Sequence, residues 1–175
     1  MYLQRLNNKL RPISNLKQLE VLLLKNDFEF VDVGSLDLKE QIELFQSVDI
    51  IVGASGAAFT NLIFMKENSI AISFYPSASA TNYYVFQPLS DVSNVELVHF
   101  LTTSSNVDLS VHAEASIDLD NLNLLLEKDI KILIEKIDKL RSKGQKCSVE
   151  YRDKNYIYEN FEIGDKKLKI TKKIR

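Results

Sequence analysis

Cysteine is nearly absent from this sequence. Cys147 stands alone in 175 residues, so no internal disulfide and no Cys-x-x-Cys metal pair can form. No basic–acidic partner pattern accompanies it of the kind that marks a nucleophilic thiol. Two histidines, His99 and His112, are too few to point to a His-based metal site. No signal-peptide core and no apolar run of membrane-spanning length occurs, which sets a cytoplasmic expectation. A dominant charge is missing as well: the net of −2 gives no overall reason to expect nucleic acid or anionic lipid as a partner. Glycine is scarce, with five in all.

What is present is ordinary for one globular domain with an appendage: 45% hydrophobic and 26% charged residues, enough to bury a real core. The charge is unevenly spread. Residues 166–175 (KKLKITKKIR) hold six of the 22 Lys and Arg and no acid, leaving sixteen basic against 24 acidic residues before them, a net of −8. Such a tail reads first as a solvated end, and secondarily as a way to touch phosphates or a membrane surface peripherally.

Hydrophobic patterning supplies the architecture. Tyr2-Leu3 is a short extended segment, followed by a polar loop broken by Pro12. Ser14 stands where an N-cap would, and apolar residues at 16, 19, 22 and 23 have helical spacing. Residues 28–33 (FEFVDV) alternate as a strand. Asp37 and Glu40 form a capping-box pattern opening a helix with Leu38, Ile42 and Phe45 on one face. Residues 49–52 (DIIV) and 69–74 (SIAISF) read as buried strands, 83–89 as a short helix, and 95–101 (VELVHFL) as a further strand. Asp118 can cap a long helix to about Ser142, built on Leu122, Leu126, Leu133, Ile137 and Leu140 and ended by Gly144. Alternating strands and helices with short connections predict an α/β fold: a Rossmann-like, mostly parallel sheet with helices on both faces. The tail alternates around turn residues at 153–155 and 164–165, which predicts a small β meander. The expected division is a lobe over 1–144 and an appendage over 145–175.

One stretch does not look like core. Residues 50–61 read IIVGASGAAFTN, a strand-like run entering a loop of Gly, Ala and Ser. Ligands in open α/β sheets sit outside the carboxyl ends of the strands, and this loop lies at such an end and opens a helix. Small side chains let backbone N–H groups come close, and a helix N-terminus favours negative charge, so a diphosphate is the natural guest. The loop is neither a GxGxxG nor a Walker motif. A tight turn packed against a neighbour explains it equally well on these residues alone.

The order of short motifs resembles the family 61 glycosyltransferases, which include plant xylan-modifying transferases, the EGF-domain O-GlcNAc transferase and bacterial polysaccharide enzymes. The residues that carry the likeness are Leu3-Gln4-Arg5, Arg11-Pro12-Ile13-Ser14-Asn15, Asp27-Phe28-Glu29-Phe30-Val31, Glu40-Gln41 and the loop from Val52 to Asn61. They run over roughly residues 2–76, and the likeness fades beyond. The resemblance implies a GT-B fold, of which this chain would be the second, donor-binding lobe. It also implies inverting transfer from a nucleotide-sugar with no required metal or cofactor, in capsular or lipopolysaccharide synthesis. Donor and diphosphate contacts are expected from Arg5, Arg11, Asn15, Gly53, Ser55, Gly56, Ala57 and Asn61, with Glu40 and Gln41 as further donor contacts. Ser55 stands where the family has a loop histidine. The lobe that usually supplies the acceptor site is not present in this sequence, so a partner chain would have to restore it.

Each of these residues also has a plain structural reading. Arg5 and Arg11 can be solvated loop residues, Glu40 a helix cap, Gln41 an exposed helix glutamine, and Asn61 a brace for its own loop. His99 reads as a core residue rather than a base, and the leucine stripe after Asp118 as core packing rather than a dimer seam. No pair of acid–base candidates converges on the loop, and no catalytic residue is assigned. The competing function is a non-catalytic nucleotide-binding or interaction module derived from such a lobe.

Overall fold

The structure, a computed structural model, describes residues 1–4, 12–76, 82–103, 114–130, 135, 146–153, 156–163 and 166–173. Five parallel strands form the main sheet: β1 (Tyr2–Gln4), β2 (Phe30–Asp32), β3 (Ile50–Ala54), β4 (Ile70–Pro76) and β5 (Glu96–Thr102), in the order β2-β1-β3-β4-β5. Helices α1 (Leu16–Lys25), α2 (Leu38–Ser47) and α3 (Gln87–Ser93) lie in the connections, and α4 (Leu119–Leu124) follows β5. The parallel α/β arrangement expected from the sequence is therefore present.

Two apolar layers, one on each face, hold the sheet. Alternation along the strands sends Val52, Ile70, Ile72, Phe74, Val98 and Phe100 to one side, where Leu19 and Leu23 of α1 and Leu122, Leu125 and Leu126 meet them. Ile51, Ala71, Tyr75 and Leu97 go to the other, under Phe45 of α2, Phe59, Leu62 and Phe86. A strand buried on both faces must be apolar at consecutive positions, which is why β3 reads as a plain apolar run.

Local chemistry explains most boundaries. The capping box at α2 is formed: the Asp37 N–H donates to Glu40 Oε2 and the Glu40 N–H to Asp37 Oδ1, both at 2.8 Å. Asp118 caps α4 by accepting from the Asn121 N–H at 3.1 Å. At the end of α1, Asn26 donates its side-chain amide to the Leu22 carbonyl and Asp27 takes φ 60, turning the chain into β2.

Four local expectations need correction. Ser14 is not the cap of α1. Asn15 holds that position without a side-chain cap bond, because the Ser14 hydroxyl donates to the Ala115 carbonyl instead. The strand read over 28–33 is only Phe30–Asp32, since Asp32 accepts from the Gly34 N–H and winds Val33–Ser35 into a 3₁₀ turn. The helix read over 83–89 begins later, at Gln87. Pro88 fits the first helical turn, where no N–H is needed, and Asn94 ends the helix in the left-handed conformation. After Leu124 the helix opened by Asp118 widens into a π turn over Leu125–Asp129. Leu133, Ile137, Leu140 and Gly144 lie outside the described residues.

Beyond residue 145, β6 (Lys146–Asp153), β7 (Tyr156–Ile163) and β8 (Lys166–Lys173) form a separate antiparallel sheet in the order β6-β7-β8, the meander expected of the tail. The basic run of 166–173 is thus its last strand. Among the described residues no helix is long and apolar enough to cross a membrane.

The Met1 amine donates to the Ile50 carbonyl at 2.8 Å, and burial lowers its pKa from 8.0 to about 6 against the opposing pull of Glu29. Above pH 8 the amine is neutral in both states and contributes nothing. Below about pH 6 it is charged in both, and the folded state carries the whole desolvation cost. Stability of this chain should therefore rise between pH 6 and pH 8. Urea melts across that range should show the increment, and N-terminal acetylation should remove it. A flat profile, or an increment that survives acetylation, contradicts the assignment.

Candidate functional site

All five strands run the same way, so their carboxyl ends share one rim. Along the sheet β1 sits between β2 and β3, and this is where the strand order reverses. α1, the element after β1, packs on one face and the segment Ala57–Phe64 after β3 packs on the other, the arrangement that opens a crevice at the edge of such sheets. Such a crevice is the ligand position of open α/β sheets. The small-residue loop after β3 opens onto it. Arg5 follows the end of β1 and Arg11 precedes Pro12, and both lie outside the described residues.

Gly53 is still inside β3, in register with Leu3 of β1. A Cβ on Gly53 would come 2.9 Å from the Leu3 Cβ, closer than real side chains approach. Its glycine is thus accounted for by strand packing. Ser55 is buried, and its N–H continues the ladder by donating to the Phe74 carbonyl at 2.9 Å. Gly56 is extended (φ 166, ψ −174) and caps the next helix without a side chain; Ala57 is exposed.

The helix that the loop opens is a 3₁₀ helix, Ala57–Phe64, longer than is common for this form. With three residues per turn, Phe59, Leu62 and Met65 fall on one line, and all three are buried against the sheet. The spacing of three between large apolar residues is the signal that sequence reading passed over. Asn61, also buried, points sideways. It donates to Gln41 Oε1 of α2 at 2.9 Å, and Gln41 Nε2 donates to the Leu36 carbonyl at 3.0 Å. The plain reading of Asn61 as a brace for its loop matches this geometry. Gln41 is half-buried rather than an exposed helix glutamine, and it has a definite structural partner.

Asn15 works similarly on the opposite face. Its side-chain amide donates to the Ile117 carbonyl at 2.7 Å and its oxygen accepts from the Ile117 N–H at 3.0 Å. That clamp, with the bridges Ile13↔Ala115 and Thr103↔Ser116, lays residues 115–117 across the rim beside α1. Sequence reasoning gave this segment no role, because its partners are about a hundred residues distant.

Among the described residues, acid–base candidates do not gather here. The Glu40 carboxylate is held by its cap at the exposed start of α2. Asp49 precedes β3 at the amino edge and pairs with Lys66 at 3.0 Å. His99 has no exposed surface and clusters with the rings of Tyr75 (5.0 Å) and Tyr83 (6.3 Å), as expected of a core residue. Among the described residues no group of three or more His, Cys, Asp or Glu could hold a metal ion.

Residues 1–72 match the family model described as Glycosyltransferase 61. The matched stretch spans β1 to the first half of β4 and includes the whole small-residue loop, so it coincides with the half of the sheet that builds the crevice. No curated protein matches the chain.

Proposed function

We propose that this chain carries the nucleotide-sugar-binding lobe of a glycosyltransferase, acting in capsule or lipopolysaccharide synthesis at the cytoplasmic side. The observation that supports it most is the coincidence of the family match with the β1/β3 crevice and its small-residue loop. In this reading the chain is the second lobe of a GT-B enzyme. The diphosphate lies against the backbone of Gly56 and Ala57 at the start of the 3₁₀ helix, and Arg5 and Arg11 are the guanidinium groups proposed to complete its contacts. The protein's chemical contribution is to hold the diphosphate and stabilise charge on the departing nucleotide. A second chain completes the acceptor cleft, and the basic β8 strand offers a peripheral membrane contact.

Calorimetry and thermal shift with UDP, GDP, CDP and ADP and their sugar conjugates test the site. A nucleotide at about ten times its Kd adds about 1.4 kcal/mol to folding, which moves Tm by about 3–6 °C for a chain of this size. No heat and no shift across the panel at millimolar nucleotide would sink the reading.

A non-catalytic nucleotide-binding module is the second reading. It is favoured by the positions of Glu40, engaged in its helix cap, and Asp49, paired with Lys66 at the opposite edge of the sheet. Binding without transfer in the presence of the restored acceptor lobe would select it.

A further inference from the structure

Resting on the donor-site reading above, we infer that Gln41 and Asn61 are positioning residues: a two-amide latch that sets the small-residue loop, with neither side chain touching the donor. Gln41 spends both ends of its amide. Its Nε2 donates to the Leu36 carbonyl, in the connection leaving β2, and its Oε1 accepts from Asn61 Nδ2. Asn61 lies one turn into the 3₁₀ helix whose first residues form the loop, and its side chain is buried. One continuous chain of hydrogen bonds thus ties the rim above β2 to the loop above β3, across the point where a ligand would enter.

The latch answers a specific weakness of this helix. Gly56 gives it no side-chain cap, and 3₁₀ hydrogen bonds are poorer than α bonds, so little in the local backbone fixes where the first N–H groups point. The apolar line Phe59, Leu62 and Met65 holds the helix down on the sheet but does not by itself stop rotation about that line. A directional bond from Asn61 to α2 does. Backbone donors aimed before the ligand arrives are worth more than donors that must be ordered by it.

The test is a double-mutant cycle of Gln41→Ala, Asn61→Ala and the pair, read by amide hydrogen exchange over residues 55–59 and by calorimetry with the tightest of UDP, GDP, CDP and ADP. Alanine at 41 suits the helix, so at least that variant should fold. Each single change should speed exchange in the loop and weaken nucleotide binding about tenfold, the scale of one lost hydrogen bond with its partner stranded. The double should lose no more than either single, because both remove the same link. Multiplying losses in the double, or loss with Asn61→Ala alone, would mean direct ligand contact and overturn the latch. Unchanged loop exchange in Gln41→Ala would overturn it too. If the unmodified chain binds none of the four nucleotides, the donor-site reading fails, while the exchange comparison still decides whether the latch orders the loop.

Discussion

Gly53→Val should cost about 3 kcal/mol of folding stability, at the upper end for overpacking a core, whereas Gly56→Val should keep the melting temperature and lose diphosphate binding. The two glycines are three residues apart and look alike in sequence, but they face different neighbours. Gly53 lies within the sheet, and the space for its side chain is filled by Leu3: an added Cβ meets the Leu3 Cβ at 2.9 Å and its Cγ and carbonyl at 3.4 Å. Leu3 cannot move aside, being buried in the cluster with Phe45, Ile51 and Phe59. Gly56 is half-buried at the rim and its extended backbone suits a β-branched residue. A valine there would stand where a diphosphate is proposed to sit. Thermal melts and calorimetry on both variants separate the roles. Equal loss of stability in the two would make Gly56 structural as well, and an unaltered Gly56→Val protein on both counts would leave the loop with neither role.

That contrast also shows why the sequence was only partly legible. Parallel strands announce themselves because burial on both faces demands consecutive apolar residues, and capping boxes because their partners are three residues apart. The start of α2 is legible for this reason, and so is the existence of β3, although the strand runs on through Gly53 and Ala54, which the sequence reading gave to the loop. Contacts made through tertiary register leave no such trace. Leu3 reaches Gly53 only because β1 and β3 are neighbours, a fact set by the strand order. Gln41 reaches Asn61 across twenty residues, and Asn15 reaches Ile117 across 102. In each case the side chain's duty depends on where another element lies. The 3₁₀ form of the loop helix was legible in principle from Phe59, Leu62 and Met65, but a period of three is easily absorbed into a helical one of 3.6.

The other large expectation concerns turnover: the 175-residue chain by itself should bind nucleotide and transfer no sugar. Deprotonating an acceptor hydroxyl needs a base within hydrogen-bond reach of it, so geometry decides before pKa does. Glu40 is a carboxylate of the family-like motifs, and both bonds of its cap are in place at 2.8 Å. Freeing it would undo the start of α2, at a cost of about 1 kcal/mol for the cap alone. Asp32 stands at the carboxyl end of β2, but its Oδ1 accepts from the Gly34 N–H at 3.1 Å. Asp49 is at the opposite edge of the sheet, and His99 has no exposed surface. On the proposed reading the acceptor cleft also needs a wall from a second lobe. Incubation of the purified chain with radiolabelled nucleotide-sugars and a panel of acceptors should therefore give no glycoside above background, with transfer appearing only when a second lobe is added. Transfer by the chain alone, abolished by changing Glu40 or Asp32 to the amide while nucleotide binding persists, would make it a complete and unusually small enzyme.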